Sequence, residues 1–382
     1  MAAPATSPTA TPDYDLIYYE RAWQARVDNG FTDEPCPVVA APVYPDDYYQ
    51  GRIIDTHMHM PQLPDTPLGF EAGERELEGF ARSDYSARDD FDEPLESFPF
   101  VDQIPVAGNN MTMNHIACTL MADGTDGGFS FYSVFTSQPD SSLDLAKIAE
   151  ERWPGLFVPF ISPPGEVNNV ATVGGARLQE MITPYPGLFK GLGEMRFNGT
   201  GRDWATALSH DELMSTLPVV QEHGMMVYTH PDDLQRGALG RTLAANPNTI
   251  IIAHGDEIEH DVTQLMDDYP NFYYTIDALF GDQYLQHPEE TAAGYLSKTE
   301  VEDFPWMLEY DLNFWKEAIE AHPDRFMWGT DRGGIVLWGW DLANSRRVVE
   351  YARAFIGQLD PAVQERFAYQ NAERLIQAAA LP

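Results

Sequence analysis

Five residues of metal-binding type stand at the ends of apolar runs spread along this chain of 382 residues. His57 and His59 close the run IIDTHMH two positions apart, so a β-strand would turn both imidazoles to one side. His230 ends MMVYTH, His254 follows TIIIA and Asp331 ends FMWGTD. Imidazole and carboxylate together suit a divalent metal, zinc foremost, and a cation with an open coordination position lowers the pKa of its water to about 7. The chemistry that follows is attack of that water on a carbonyl or phosphoryl centre, with a carboxylate beside it to take the proton. A HxH pair alone is as often two packed histidines, since short motifs recur by chance.

Other residues offer less specific chemistry. Arg196 and Arg332 stand near strand ends, either as cations for a substrate carboxylate or phosphate or as ion-pair partners for the chain's many acids. Glu194 either ligates or pairs with a base such as Arg196. Asp55, one step before the histidines, suits support of a ligand, Asp277 at the end of FYYTIDA suits contact with substrate, and Tyr228 suits barrel filling. Trp338 and Trp340, just after GTDRGG, would wall a pocket or simply pack. His115, His210, His223, His260, His287 and His322 fall early in a strand, in helices or in loops and read as structural. Neither a P-loop nor a GxGxxG after a strand occurs, so no nucleotide cofactor is implied.

For these five to meet, the apolar runs must be parallel strands whose C-terminal ends converge. After IIDTHMHM, the run NHIACTLMA reads as strand 2, LFVPFISPP as strand 3 and FKGLGEMRF as strand 4. MMVYTH, TIIIAHGD, FYYTIDA and FMWGTD complete eight. Amphipathic stretches lie between them, such as SLDLAKIAEERWPG and DELMSTLPVVQEHG, whose Gly224 fits a C-terminal cap. This alternation predicts an α/β fold, a (β/α)8 TIM barrel with an N-terminal arm and a long insertion after strand 1. Residues 1–50 read as a disordered tail and wrapping arm, and 51–382 as the barrel. Met1 to Thr11 hold nothing to bury, and Asp13 to Gln50, rich in Tyr and Pro, suit a lid or a subunit contact with a helix at Leu16 to Val27. A homo-oligomer is therefore among the expected partner states. The acidic, Phe-bearing insertion from Pro61 to Met113 is long enough to cover a pocket.

Composition narrows the partners. Sixty acidic residues stand against 23 Lys and Arg, for a net charge of −37. That balance disfavours nucleic acid and anionic membrane, leaves a small-molecule substrate, and predicts a salt-adapted acidic surface. No apolar run is long enough to span a bilayer, and the first residues lack the basic and apolar regions of a signal peptide, so a cytoplasmic location is the default. Cys36 and Cys118 have no CxxC spacing and are expected as reduced thiols.

In order from Ile53 to the C-terminus, HMH, THP, AHGD, GTDRGG and QNAERLI (Gln370 to Ile376) resemble the amidohydrolase superfamily. The likeness is to its amidohydrolase-2 branch of metal-dependent hydrolases and non-oxidative decarboxylases. The resemblance implies that His57 and His59 hold a divalent metal, that His230 is a further ligand, and that Asp331 binds the metal or its water and takes the proton. By the same resemblance His254 ligates a second metal, as in two-metal members, or polarises substrate as an acid, as in one-metal members. Two-metal members bridge their ions with a carboxylated lysine or a glutamate on the fourth strand; GLGE is similar to the glutamate version, and Lys190 lies too early. One ion or two both stay open. The leading expectation is a metal-dependent hydrolase that uses a metal-bound hydroxide to cleave an amide, lactone or other ester bond. The alternative is a metal-dependent non-oxidative decarboxylase of an aromatic or unsaturated carboxylic acid. A third, a non-catalytic metal-binding protein, is opposed by the presence of every ligand-type position.

Overall fold

The computed structural model describes residues 35–60, 113–133, 140–162, 174–196, 211–231, 235–277, 279, 304–332 and 342–379. The expected tail and arm helix, the insertion of 61–112, and Trp338 and Trp340 lie outside the described residues, as does the side chain of Arg196.

Eight strands follow one another around one parallel sheet: β1 (Asp55–His59), β2 (Gly128–Ser133), β3 (Phe157–Ser162), β4 (Gly191–Arg196), β5 (Met226–His230), β6 (Ile251–Ala253), β7 (Phe272–Ile276) and β8 (Phe326–Trp328). A parallel bridge between Met58 and Arg332 returns β8 to β1, where the His59 amide donates to the Arg332 carbonyl at 2.7 Å. The result is the nearly closed (β/α)8 TIM barrel that the alternation of strands and helices predicts. Outside it run α1 (Met113–Asp123), α2 (Asp140–Arg152), α3 (Gly175–Ile182), α4 (Asp211–Glu222), α5 (Arg236–Ala245), α6 (Val262–Asp268), α7 (Phe304–Ala321) and α8 (Leu342–Gly357).

Strands covered on both faces carry two apolar sets, and the period of two sorts them. In β5, Met226 and Tyr228 face the interior with Phe129, Phe131, Phe160, Ile252 and Met327, whereas Val227 faces the helix layer with Leu192 and Ile251. The interior set is closed at the N-terminal ends of the strands by the last helix, α10 (Asn371–Ala378), which follows α9 (Pro361–Glu365) and a π-helical turn (Arg366–Gln370). Ala372, Leu375 and Ala379 join the interior cluster. The Asn371 amide donates to the carbonyls of Pro323 and Phe326 at 2.9 and 2.8 Å, locking that helix to the entry of β8. Hydrocarbon therefore fills one mouth of the barrel, and polar groups converge at the other.

Two expectations are corrected here. The run NHIACTLMA is α1, not a strand, and β2 is the later GFSFYS. Ile116, Ala117 and Leu120 are buried while Met121 is 50% exposed, a helical stripe that a short apolar run does not distinguish from a strand. The second correction concerns the thiols: Cys36 and Cys118 form a disulfide across 82 residues, their Cα atoms 5.2 Å apart. No local spacing reveals such a pair, because it depends on the path of residues 35–50 over the helices. Along that path the Tyr44 hydroxyl donates to the Asp123 carbonyl, and the Tyr49 amide donates to the Arg353 carbonyl at 2.9 Å. Arg353 in turn donates to the carbonyls of Tyr49 and Gly51, so the segment is tied to both α1 and α8. Among the described residues no helix is long and apolar enough to cross a membrane.

Candidate metal centre

Each ligand-type residue arrives at the C-terminal end of its strand. β1 carries His57 and His59, β4 carries Glu194 and β5 ends on His230; His254 and Asp277 directly follow β6 and β7, and Asp331 lies just beyond β8. That rim is where the loops of a (β/α)8 barrel build its sites.

Local irregularities aim the side chains. β4 shifts register between Leu192 and Met195, which both face the outer core, so Gly193 and Glu194 form a bulge that turns Glu194 inward. Gly193 has φ 133°, and a Cβ there would lie 2.1 Å from the Tyr228 carbonyl oxygen, so β4 can approach β5 this closely only at a glycine. The Gly193–Glu194 peptide is cis. β1 also shifts register, between Asp55 and Met58, and Asp55 is spent on holding its own strand to the segment after β8. Its carboxylate accepts from the amides of His57 and Thr330 at 3.1 and 3.0 Å and from the Thr330 hydroxyl at 2.6 Å. Asp331, one residue on, takes φ 50°, the left-handed region that Asp tolerates better than most residues.

The donor atoms fall into two sets that share Glu194. In the first, the Nε2 atoms of His57 and His59 lie 3.1 Å apart and 3.1 and 3.0 Å from Asp331 Oδ1. Glu194 Oε2 stands 3.2 Å from His59 Nε2 and 3.8 Å from His57 Nε2. In the second, Glu194 Oε1 lies 3.1 Å from His230 Nδ1 and 2.8 Å from His254 Nε2. Three of the four histidines have a carboxylate on their far nitrogen: Asp277 Oδ2 on Nδ1 of His57 and of His254, at 2.8 and 2.6 Å, and Glu257 Oε2 on Nε2 of His230, at 3.0 Å. A proton held there leaves a lone pair on the converging nitrogen, facing other acceptors.

Such a cluster demands positive charge. Burial works against charge on His57 and His254, yet the facing carboxylates, chiefly Asp331 for His57 and Asp277 for His254, raise both to about 9. Burial also favours a neutral Glu194, but the imidazoles of His254, His230 and His57 hold it well below the usual carboxylate range. A divalent ion would supply the charge that protons otherwise must. In each set, His57, His59 and Asp331 or Glu194, His230 and His254, the donor atoms lie within 4.8 Å of one another. Nitrogen and carboxylate donors at that separation fit a divalent cation.

The structure thus brings His57, His59, Glu194, His230, His254 and Asp331 to one rim. Arg332 goes elsewhere. Its guanidinium, 1% exposed, donates to Asp55 and Asp123, each at 2.9 Å, and to the Ser345 hydroxyl, inside the wall between β1, β8, α1 and α8. Arg196 ends β4 in register with His230. Tyr228 is buried below the cluster, its ring 5.2 Å from that of His57 and 5.4 Å from that of His254. Asp277 is turned to the two histidines. His223 bonds Gln179, His260 touches Phe314 and His322 faces Asp267, all apart from the cluster; His210, His287 and the side chain of His115 lie outside the described residues. Glu257 is the residue that sequence reasoning missed. It sits in the 3-10 turn Asp256–Asp261, in a stretch whose pattern reads as helix surface; its only signal is a carboxylate three residues after a ligand-type histidine.

Residues 54–377 match the family model described as Amidohydrolase. No curated protein matches the chain. Among solved structures, an uncharacterised TIM-barrel protein from Bordetella bronchiseptica is 17% identical with a TM-score of 0.46, covering 86% of this chain and 100% of its own. A zinc-bound amidohydrolase from Burkholderia multivorans is 11% identical with a TM-score of 0.48, covering 87% of this chain and 100% of its own. An amidohydrolase 2 from Bifidobacterium longum subsp. infantis is 14% identical with a TM-score of 0.38, covering 85% and 98%.

Proposed function

Since the chain belongs to the amidohydrolase family, a family of metal-dependent hydrolases and decarboxylases, we propose that it is a two-metal hydrolase that cleaves an amide, lactone or other ester bond. The observation that carries this reading is the place of Glu194, whose two oxygens face different histidine sets, Oε2 towards His57 and His59 and Oε1 towards His230 and His254. His57, His59, Asp331 and Glu194 would hold one ion, and Glu194, His230 and His254 the other. Divalent ions there, zinc by the preference of imidazole donors, would polarise the scissile carbonyl and acidify a water towards neutrality.

The chain's own groups divide the remaining work. Asp331 is the proton carrier. Desolvation pulls its pKa up, but the imidazoles of His57 and His59 pull it down further, so it is ionised at neutral pH and ready to accept the proton of the attacking water. Its side chain is 36% exposed, against 6% for Glu194, so it can reach outward and hand that proton to the leaving group. Glu194, enclosed by imidazoles, keeps its charge and its position. Tyr228, buried against the rings of His57 and His254, and Phe131, against that of His57, close the floor and keep bulk water from entering beneath. Decarboxylation, the second reading, would use His254 as a free acid. Here both its nitrogens are engaged, Nε2 by Glu194 and Nδ1 by Asp277, which favours hydrolysis.

Metal analysis per chain on protein purified without chelator, joined to a screen of lactones, amides and aromatic acids, tests the proposal. Two ions with turnover of a lactone or amide are expected; one ion with carbon dioxide released from an aromatic acid would overturn it. Asp331→Asn should lower kcat by about 10²–10⁴-fold with an unchanged circular dichroism spectrum. Unchanged turnover would remove Asp331 from the reaction.

A further inference from the structure

The two donor sets are joined twice. Glu194 joins them on the inside. On the outside a single oxygen, Asp277 Oδ2, accepts from His57 Nδ1 at 2.8 Å and from His254 Nδ1 at 2.6 Å. One of these histidines belongs to the set with Asp331, the other to the set with His230. His230, by contrast, has its far nitrogen on a different carboxylate, Glu257. The rings of His57 and His254 are themselves in edge contact, with centroids 4.1 Å apart.

His57, His254 and Asp277 also lie close enough to suggest a third ion, but the geometry argues otherwise. Each Nδ1 is the nitrogen turned away from its own donor set, and both meet the same Asp277 oxygen, at 2.8 and 2.6 Å, as hydrogen-bond donors to one acceptor. With Nδ1–H donated outward, each ring presents its Nε2 lone pair inward, which is the form a ligating histidine needs. The Asp277 side chain is 7% exposed, so few waters compete for its oxygen.

The geometry points to Asp277 as a positioning residue that couples the two ion sites, an inference that rests on the two-metal reading above. A ring drawn to its ion settles its Nδ1–H on Asp277, and the same oxygen then stands where the other ring needs it. Occupancy of one site thereby prepares the other. Asp277 would touch neither ion nor substrate.

Zinc titration of the chelator-stripped full chain, followed by equilibrium dialysis and metal analysis, reads this directly. The wild-type chain is expected to take up two ions cooperatively. Asp277→Ala should weaken both sites by about 10–100-fold and abolish the cooperativity. Asp277→Asn, whose amide oxygen still accepts, should lie between the two. Glu257→Gln is the contrast, weakening only the site that contains His230. Loss confined to one site in Asp277→Ala, or no loss, would overturn the coupling while leaving the two-metal reading intact. A wild-type chain that binds a single ion would overturn both. If Asp277→Ala loses its circular dichroism spectrum, Asp277→Asn carries the comparison, and unchanged cooperative uptake there overturns the coupling. Cobalt(II) substitution adds a spectroscopic readout, since both sites' absorption bands should change in the Asp277 variants and one site's in Glu257→Gln.

Discussion

Gly255 follows His254 with φ 96°, and a Cβ at that position would lie 2.7 Å from His230 Nε2 and 2.9 Å from Glu257 Oε2. The space it leaves empty is the space through which His230 and Glu257 meet. Its carbonyl is held in turn by the buried Tyr274 hydroxyl at 2.7 Å, so the turn cannot easily swing aside. Gly255→Ala should therefore part the two side chains, lowering zinc affinity by about tenfold in a dialysis titration. Left-handed strain should also lower stability by about 1 kcal/mol in urea unfolding. Unchanged affinity would mean that Glu257 does not orient His230. At this scale the sequence was informative where residue type and strand end coincide, as at His57, His59, His230, His254 and Asp331. Glu257 escaped because its position, within DEIEHD, carries the ordinary pattern of an exposed acid. Arg332 was visible as a cation near a strand end, but its partner Asp123 belongs to α1, which reads as a strand from sequence.

Elements are held in register by the buried charges between them. Among the described residues β8 is three residues long and meets β1 through one bridge, so hydrogen bonding along the strands contributes little to that seam. Arg332 contributes more: it ties Asp55 of β1 to Asp123 of α1 and reaches Ser345 of α8. Arg332→Met should cost about 3–5 kcal/mol in urea unfolding, because it strands two carboxylates with no exposed surface. Arg332→Lys should recover only part, for an ammonium cannot bridge partners as a guanidinium fork does. A loss below about 1 kcal/mol in the Met variant would show that the seam is closed by other means. On the far side of the same layer, Asp311 of α7 accepts from the Tyr351 hydroxyl of α8 at 2.7 Å, and burial raises Asp311 to about 7. The folded chain thus prefers the neutral acid, and the stability this lends is complete below the usual 3.8 and lost as pH rises through 7. Asp311→Asn should raise Tm at pH 8 and leave it unchanged at pH 4; equal shifts at both would rule out titration as the cause. The barrel itself was legible because strand and helix periods alternate, whereas α1 was misread since a run of Ile, Ala and Leu satisfies either period over so short a length.

The whole molecule carries a net charge of −37, and its compactness must withstand that repulsion. One covalent tether helps. The Cys36–Cys118 disulfide closes a loop of 82 residues and holds the segment 35–50 against α1; by loop entropy alone such a closure contributes about 4.5 kcal/mol. Reduced thiols would agree with the expected cytoplasmic location, and the disulfide removes that agreement. The ion pairs on the outside, such as Arg52 with Glu373 and Lys147 with Glu151, are largely solvated and offset little of the excess. Salt would screen the repulsion further, since the Debye length shrinks from about 10 Å at 0.1 M to about 3 Å at 1 M. Two contributions of different origin should then add. Reduction should lower Tm at any salt concentration, because it frees the unfolded chain. Raising potassium chloride from 0.1 M to 1 M should raise Tm by a similar amount in the oxidised and the reduced protein, because screening acts on surface charge and not on the tether. A Tm that stays level or falls as potassium chloride is added would exclude a salt-adapted surface, whatever the state of the disulfide.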